Sequence, residues 1–243
     1  MIPDGQRSVG CLAGAFENSA DPSLDNMRGR GNQAMLDSII DISHHNGISL
    51  NFGAAKTAGI QGVIHKATQG LSGADPMFQS NRTSIRAVQL LFGAYHFGDG
   101  SDGGSQARHF LSVTQSGPNE LIALDLENNP AGPSMTLEEA RAFVTVIFDT
   151  IGKWPVLYSG HDLKEALGGH PDTLLANCPL WLAQYGPAAV LPPGWTRWSL
   201  WQYTDGAQPG SQPVNGIGHC DRDRFNGDAG DLAPFWASVS VSA

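Results

Sequence analysis

Short apolar runs recur from residue 35 onwards, each closed by a polar or glycine-rich stretch. They are MLDSIIDI (35–42), GVIHKA (62–67), LLFGAYHF (90–97), LIAL (121–124), WPVLY (154–158), LWLA (180–183), SLWQY (199–203) and a short one at 219–221. Runs of this length between turn signals read as buried strands. Between them lie segments with helical signals, over 51–59, 75–89, about 105–115, 136–151 and 161–167. The second opens on Asp75 as N-cap with Pro76 at the first helical position, and the fourth opens on a capping box, Thr136 with Glu139. Strands alternating with helices imply βαβ units around a parallel sheet. About eight strands in roughly 200 residues predict an α/β chain closed into a TIM-like β/α barrel, irregular because the late crossovers are too short for full helices. Residues 1–35 show no sustained periodicity and read as an irregular leader; the barrel domain is expected over 36–236, with 237–243 as a tail.

The polar residues that follow the apolar runs are Asp41, Thr68, His96, Asp125, Glu127, Gln184 and Gln202. These are C-terminal strand ends, the face on which such barrels carry their chemistry. Asp125 and Glu127 stand out, because strand alternation points residues i and i+2 to the same side. Two neighbouring carboxyls cannot both ionise cheaply, so one is held protonated beside an ionised partner, the pairing that glycosidic cleavage requires. Read alone, such a pair is more often a solvated strand end.

Composition narrows the field. The 243 residues carry 14 Lys+Arg against 23 Asp+Glu, a net charge of −9, which argues against a nucleic acid or an anionic membrane surface as partner. No apolar run approaches the length of a membrane span. The start of the chain lacks the basic segment and long apolar core of a signal peptide. Cys11, Cys178 and Cys220 form neither a disulfide framework nor a zinc pattern, although a single Cys178–Cys220 bridge stays open. No cofactor or metal is implied: His44 and His45 lie beside Asp41 without a third ligand and read as hydrogen-bonding loop residues.

Several longer motifs converge in one order: Asp41-Ile42-Ser43-His44, Gly62 to Gly70 (GVIHKATQG), Gly93 to Phe97 (GAYHF), Leu124 to Glu127 (LDLE), Leu180 to Tyr185 (LWLAQY), Leu200 to Tyr203 (LWQY) and Cys220 to Gly227 (CDRDRFNG). On these the chain resembles the glycoside hydrolase family 25 lysozymes, the Chalaropsis-type N-acetylmuramidases. The resemblance covers about residues 39–227. It implies a flattened β/α barrel that cleaves the β-1,4 bond from N-acetylmuramic acid to N-acetylglucosamine in peptidoglycan glycan strands. It also implies Glu127 as general acid, Asp125 as its partner at the 2-acetamido group, and Asp41 and Asp221 as the other two acids of the site. Same-face strand neighbours sit roughly 6–7 Å apart at the backbone, an awkward fit to a nucleophile on the opposite face of the sugar, so substrate assistance is the favoured route. Gln69 and Gln184 depart from the family's usual Glu and His. The leader has no family counterpart, and no wall-binding repeat follows Gly227.

Around the acids, Tyr95, Tyr158 and Trp201 are candidates for sugar stacking and hydrogen bonding, with His96 and Gln184 as further substrate-binding candidates. Trp181 is left between core and site, and Asp223 with Arg224 reads as a local ion pair. Two alternatives remain. A chitinase-like hydrolase also ends a strand in DxE but carries another Asp where this chain has Ala123. A barrel that binds glycan without cutting it has no need of four acids. The expected place of action is the cell wall, in the periplasm or outside the cell. Phage release or specialised secretion would replace a signal peptide, and an inhibitor or immunity protein enters as a partner only if the chain is a toxin.

Overall fold

The computed structural model describes residues 35–209 and 211–241. The expected leader lies outside the described residues. In chain order the elements are β1 (Leu36–Ile42), α1 (Phe52–Thr57), β2 (Gly62–Gln69), β3 (Gly73–Ala74), α2 (Phe78–Ala87), β4 (Leu91–Phe97), α3 (Gly103–Thr114), β5 (Glu120–Asp125), α4 (Leu137–Ile151), β6 (Val156–Ser159), α5 (His161–Leu167), β7 (Leu180–Ala183), β8 (Leu200–Thr204), β9 (Asp221–Phe225) and α6 (Ala229–Ser238). Eight strands close into a barrel in the order β1-β2-β4-β5-β6-β7-β8-β9 and back to β1, with the two-residue β3 folded onto the end of β2.

Alternation along the strands makes two apolar layers. Ile39, Ile64, Leu121, Ala123, Val156, Trp181, Leu200 and Phe225 point inward and fill the barrel. Their neighbours Ile40, Val63, Phe92, Ile122, Leu124 and Leu157 point outward against Phe52, Phe78, Ile85, Phe110, Phe143 and Ile147 of the helices. The expected capping box is present on α4, where Thr136 Oγ1 accepts from Glu139 N and Glu139 Oε2 accepts from Thr136 N at 2.7 Å. On α2 the expectation fails. The helix begins at Phe78 without a side-chain cap, because the Asp75 carboxylate is taken by the backbone and ring of His44, at 2.9 and 2.7 Å, and by Met77 N.

Six strand pairs are parallel, but β9 is antiparallel to both β8 and β1. A uniformly parallel barrel is therefore corrected. The reason lies in the connection 205–220, whose described residues form no helix to carry the chain back to the barrel's other end. It stays at the top, where Gly216 O accepts from Asn51 N at 2.8 Å, so the next strand can only descend. That descent places Asp221 at the first residue of β9, level with Asp41 at the end of β1.

The floor is closed by α6, which the strand pattern does not anticipate. Leu232, Trp236 and Val239 join the inner apolar cluster, and Trp236 Nε1 donates to Phe92 O at 2.7 Å. Inward-facing glycines make room for the indole: a Cβ on Gly62 or Gly93 would stand 3.0 or 3.3 Å from its ring. The chain beyond residue 236 continues this packing, since Ser240 is buried and bridges Leu121.

Candidate active site

At the top of the barrel the inner face becomes polar. Asp41, Tyr95, Asp125, Glu127, Tyr158, Trp181, Tyr185, Gln202 and Asp221 line one cleft of about 210 Å³. Most come from a strand's C-terminal end or the residues just beyond it; Trp181 and Gln202 lie within β7 and β8, and Asp221 heads the descending β9. Asp125 is the last residue of β5 and shares its inner face with Leu121 and Ala123. The backbone stays laddered past the strand end, Gly98 N donating to Asp125 O and Leu126 N to Tyr158 O, each at 2.9 Å. Glu127, two residues beyond the strand end, lines the same cleft as Asp125.

Gln202 is the hub of the polar network. Its Nε2 donates to Asp41 Oδ2 at 2.9 Å, while its Oε1 accepts from Tyr158 OH at 2.9 Å and Tyr185 OH at 3.3 Å. Burial and the surrounding acids push the Tyr95 and Tyr158 phenols well above their usual range, so both keep their protons. Below Asp41 lies Asp223, fully buried, with Oδ1 accepting from Trp181 Nε1 at 2.6 Å. The expected Asp223–Arg224 ion pair does not form. The two side chains leave opposite faces of β9, and the Arg224 guanidinium lies 4.1 Å from the Tyr203 ring and 5.2 Å from that of Trp201.

Every acid of the cluster holds its proton more tightly than in water. Burial, then the neighbouring Glu127 charge, raises Asp125 well above the carboxylate range, against the pull of Lys66. Burial, then Asp221 and Asp223, does the same to Asp41. Glu127 is raised by burial, then by Asp162 and Asp221. Burial pushes Asp221 up to about 6 and Asp223 up to about 8. Asp125 Oδ1 is buried and has no hydrogen-bond partner among the described residues. A buried acceptor without a donor is costly, so this oxygen is set to receive an N–H or O–H from a bound molecule.

The structure brings Asp41, Asp125, Glu127, Asp221, Tyr95 and Tyr158 together in the cleft and leaves the other substrate-binding candidates outside it. His96 is buried on the outer face of β4, with its ring nitrogens 2.7 Å from Thr68 Oγ1 and 2.9 Å from Gln106 Oε1 and its ring stacked on Phe143. Burial lowers its pKa to about 4, so it stays neutral there. Trp201 is buried on the outer face of β8 against Leu180 and Leu182, its Nε1 donating to Gln184 O at 2.6 Å. The Gln184 side chain holds Lys164 Nζ at 2.7 Å and lines a neighbouring hollow shared with Glu127, Tyr158 and Tyr185. The sequence reading places Gln202 only among the strand-end polar residues, leaves Trp181 between core and site, and gives Tyr185 no role; all three line the cleft. Cys178 and Cys220 are both buried and unbridged.

Comparison with known proteins gives these residues a context. The family described as "Glycosyl hydrolases family 25" matches residues 40–211. The chain is 31% identical over 208 residues to Lysozyme M1 of Streptomyces globisporus, covering 79% of this chain and 69% of that protein. It is 30% identical over 175 residues to the N,O-diacetylmuramidase of a Chalaropsis species, covering 65% of this chain and 83% of the relative. Among solved structures it is similar to the bacterial lysozyme from Streptomyces coelicolor, with a TM-score of 0.74 and 28% identity over 86% of this chain and 100% of the other.

Proposed function

The chain belongs to glycosyl hydrolase family 25, and from that premise we propose that it is a muramidase acting on the cell wall. Its cleft would cut the β-1,4 bond from N-acetylmuramic acid to N-acetylglucosamine in peptidoglycan. The observation that carries this reading is the Asp125–Glu127 pair, delivered by β5 into a cleft whose other walls carry Asp41 and Asp221.

In this mechanism Glu127 enters turnover protonated and gives its proton to the departing glycosidic oxygen. Its partial burial supports that role, since the neutral acid is the form a desolvated carboxyl favours. The unpartnered Asp125 Oδ1 receives the N–H of the muramic acid 2-acetamido group. Asp125 acts here as the ionised member of the pair, its burial offset by Lys66 and by that N–H. The acetamido oxygen then bonds to the anomeric carbon as the bond to the leaving group breaks, and the Asp125 carboxylate balances the positive charge of the resulting ring. Water, losing a proton to the Glu127 carboxylate, opens that ring with the original configuration restored. Asp41 and Asp221 face the same cleft, and Gln202 fixes Asp41 against Tyr158. Tyr95, Tyr158 and Tyr185 offer hydroxyls and ring faces to the sugars.

The test is mass analysis of purified peptidoglycan after digestion by the native chain and by Glu127→Gln. New reducing ends at muramic acid are expected from the native chain, with Glu127→Gln slower by about 10²–10⁴-fold. Reducing ends at glucosamine would move the assignment to the other glycosidic bond. Binding without cleavage by the native chain would make the barrel a glycan-binding module.

A further inference from the structure

The acid Glu127 sits at the start of a loop, not inside a strand, so something must hold it in place. That support comes from α5. Asp162 Oδ2 accepts from the backbone N–H of Asn128, the residue after Glu127, at 2.9 Å. Asp162 and Glu127 also line the same two hollows that flank the cleft, one beside α4 and α5 and one beside Gln184 and Tyr185. We infer that Asp162 is a positioning residue for Glu127, holding it through the chain that leaves β5 and setting the charge it faces.

Two consequences of one carboxylate are combined here. The hydrogen bond fixes the backbone exit from β5, and with it the direction of the Glu127 side chain. The charge of Asp162 acts on Glu127 directly: after burial it is the largest contribution holding the Glu127 proton, ahead of Asp221 and opposed by Lys66. The other groups facing Glu127 are Asp125 on β5 and the protonated phenols of Tyr95, Tyr158 and Tyr185. Among the described residues, none of the cleft's acids accepts a backbone N–H from the chain beside Glu127 as Asp162 does from Asn128. His161 and Glu165 of α5 pair with each other at 3.0 Å, and Lys164 turns to Gln184. A bound glycan would exclude water from this rim and strengthen the effect of the Asp162 charge.

This inference rests on Glu127 as the general acid, and the experiment separates the two. The rate of reducing-end release from purified peptidoglycan is followed from pH 4 to pH 9 for the native chain, Asp162→Asn, Asp162→Ala, Asp162→Glu and Glu165→Gln, with Glu127→Gln as reference. Asparagine can still accept the Asn128 N–H but carries no charge. Removing that charge lets Glu127 lose its proton at lower pH, so the alkaline limb should move down. The ratio of the rate at pH 7 to that at pH 5 should fall about threefold in Asp162→Asn. Asp162→Glu should restore the ratio, and Glu165→Gln, a charge removed from the same helix, should leave it untouched. Asp162→Ala, which also frees the backbone, should be slower at every pH. An unmoved limb in Asp162→Asn, or a loss equal at all pH values, would overturn the inference while leaving the acid in place. A Glu127→Gln variant that still cleaves would instead overturn the assignment of the acid.

Discussion

At the residue scale the site is defined by how few of its acids can ionise. Asp41, Asp125, Glu127, Asp221 and Asp223 all hold protons to higher pH in the folded chain than in the unfolded one, each first because of burial. A carboxyl raised on folding leaves the native state with more bound protons than the unfolded state. Stability is then greatest below the unfolded pKa of about 4 and is lost as pH climbs through the folded values. For Asp221 and Asp223 those values are about 6 and about 8, so the loss spans roughly pH 4 to 8. Thermal unfolding should therefore show a Tm lower at pH 8 than at pH 5, by at least about 4 °C. Asp223→Asn isolates one contributor, because its amide oxygen can keep the Trp181 Nε1 bond without a charge to bury. It should be more stable than the native chain at pH 8 and close to it at pH 5. A native Tm that is flat across this range would mean the cluster keeps its charges in the fold. Activity carries the same sign: the arm governed by Glu127 should be lost as pH rises, and a rate that keeps increasing to pH 9 would speak against a protonated acid.

At the element scale, the helix that closes the floor shows what the strand pattern can and cannot convey. Most barrel strands are legible because each is a short apolar run ending in turn residues, and Asp125 with Glu127 is legible because alternation fixes two residues on one side. The same rule carries more than was drawn from it. Tyr95 and His96 are adjacent on β4, as Trp201 and Gln202 are on β8, so only one of each pair can face the cleft; Tyr95 and Gln202 do. Tyr185 follows its strand in irregular chain, where no period sets direction. Asp223 looked like the partner of Arg224 because sequence neighbours suggest a pair, whereas a strand sends them to opposite faces. The direction of β9 depended on a connection without a helix, and α6 carries Pro234 and a mixed pattern that gives little periodic signal. Its contribution can be measured through Trp236, which is fully buried in the barrel and bonded to Phe92 O. Trp236→Ala should cost about 3–5 kcal/mol of stability through the cavity it leaves. In a barrel of this size that is a Tm drop of about 10 °C, read by circular dichroism. A loss under about 1 kcal/mol would mean that α6 is an appendage to the barrel and not its floor.

At the scale of the whole molecule the charge balance bears on how the enzyme meets a polymer. Counting every carboxyl as ionised the chain carries −9 at pH 7, and the protons held by the buried acids reduce this acidic excess without reversing it. Its cleft is ringed by acids, with Lys66 the cation that acts on both Asp125 and Glu127. A bacterial wall is itself anionic, so long-range attraction does not bring this enzyme to its proposed substrate; recognition has to come from contacts inside the cleft, where polar groups and ring faces meet uncharged sugars. Salt acts on the two kinds of interaction differently. The Debye length shrinks from about 30 Å at 0.01 M to about 8 Å at 0.15 M, which screens the repulsion between protein and wall while leaving short hydrogen bonds intact. Clearance of a purified peptidoglycan suspension at constant pH should therefore hold or rise as sodium chloride goes from 0.01 to 0.15 M. An enzyme drawn to the wall by a basic surface would lose rate over the same range. A fall of more than about fivefold would show that a local cationic surface, such as the Arg222 and Arg224 side of β9, governs encounter in spite of the net charge.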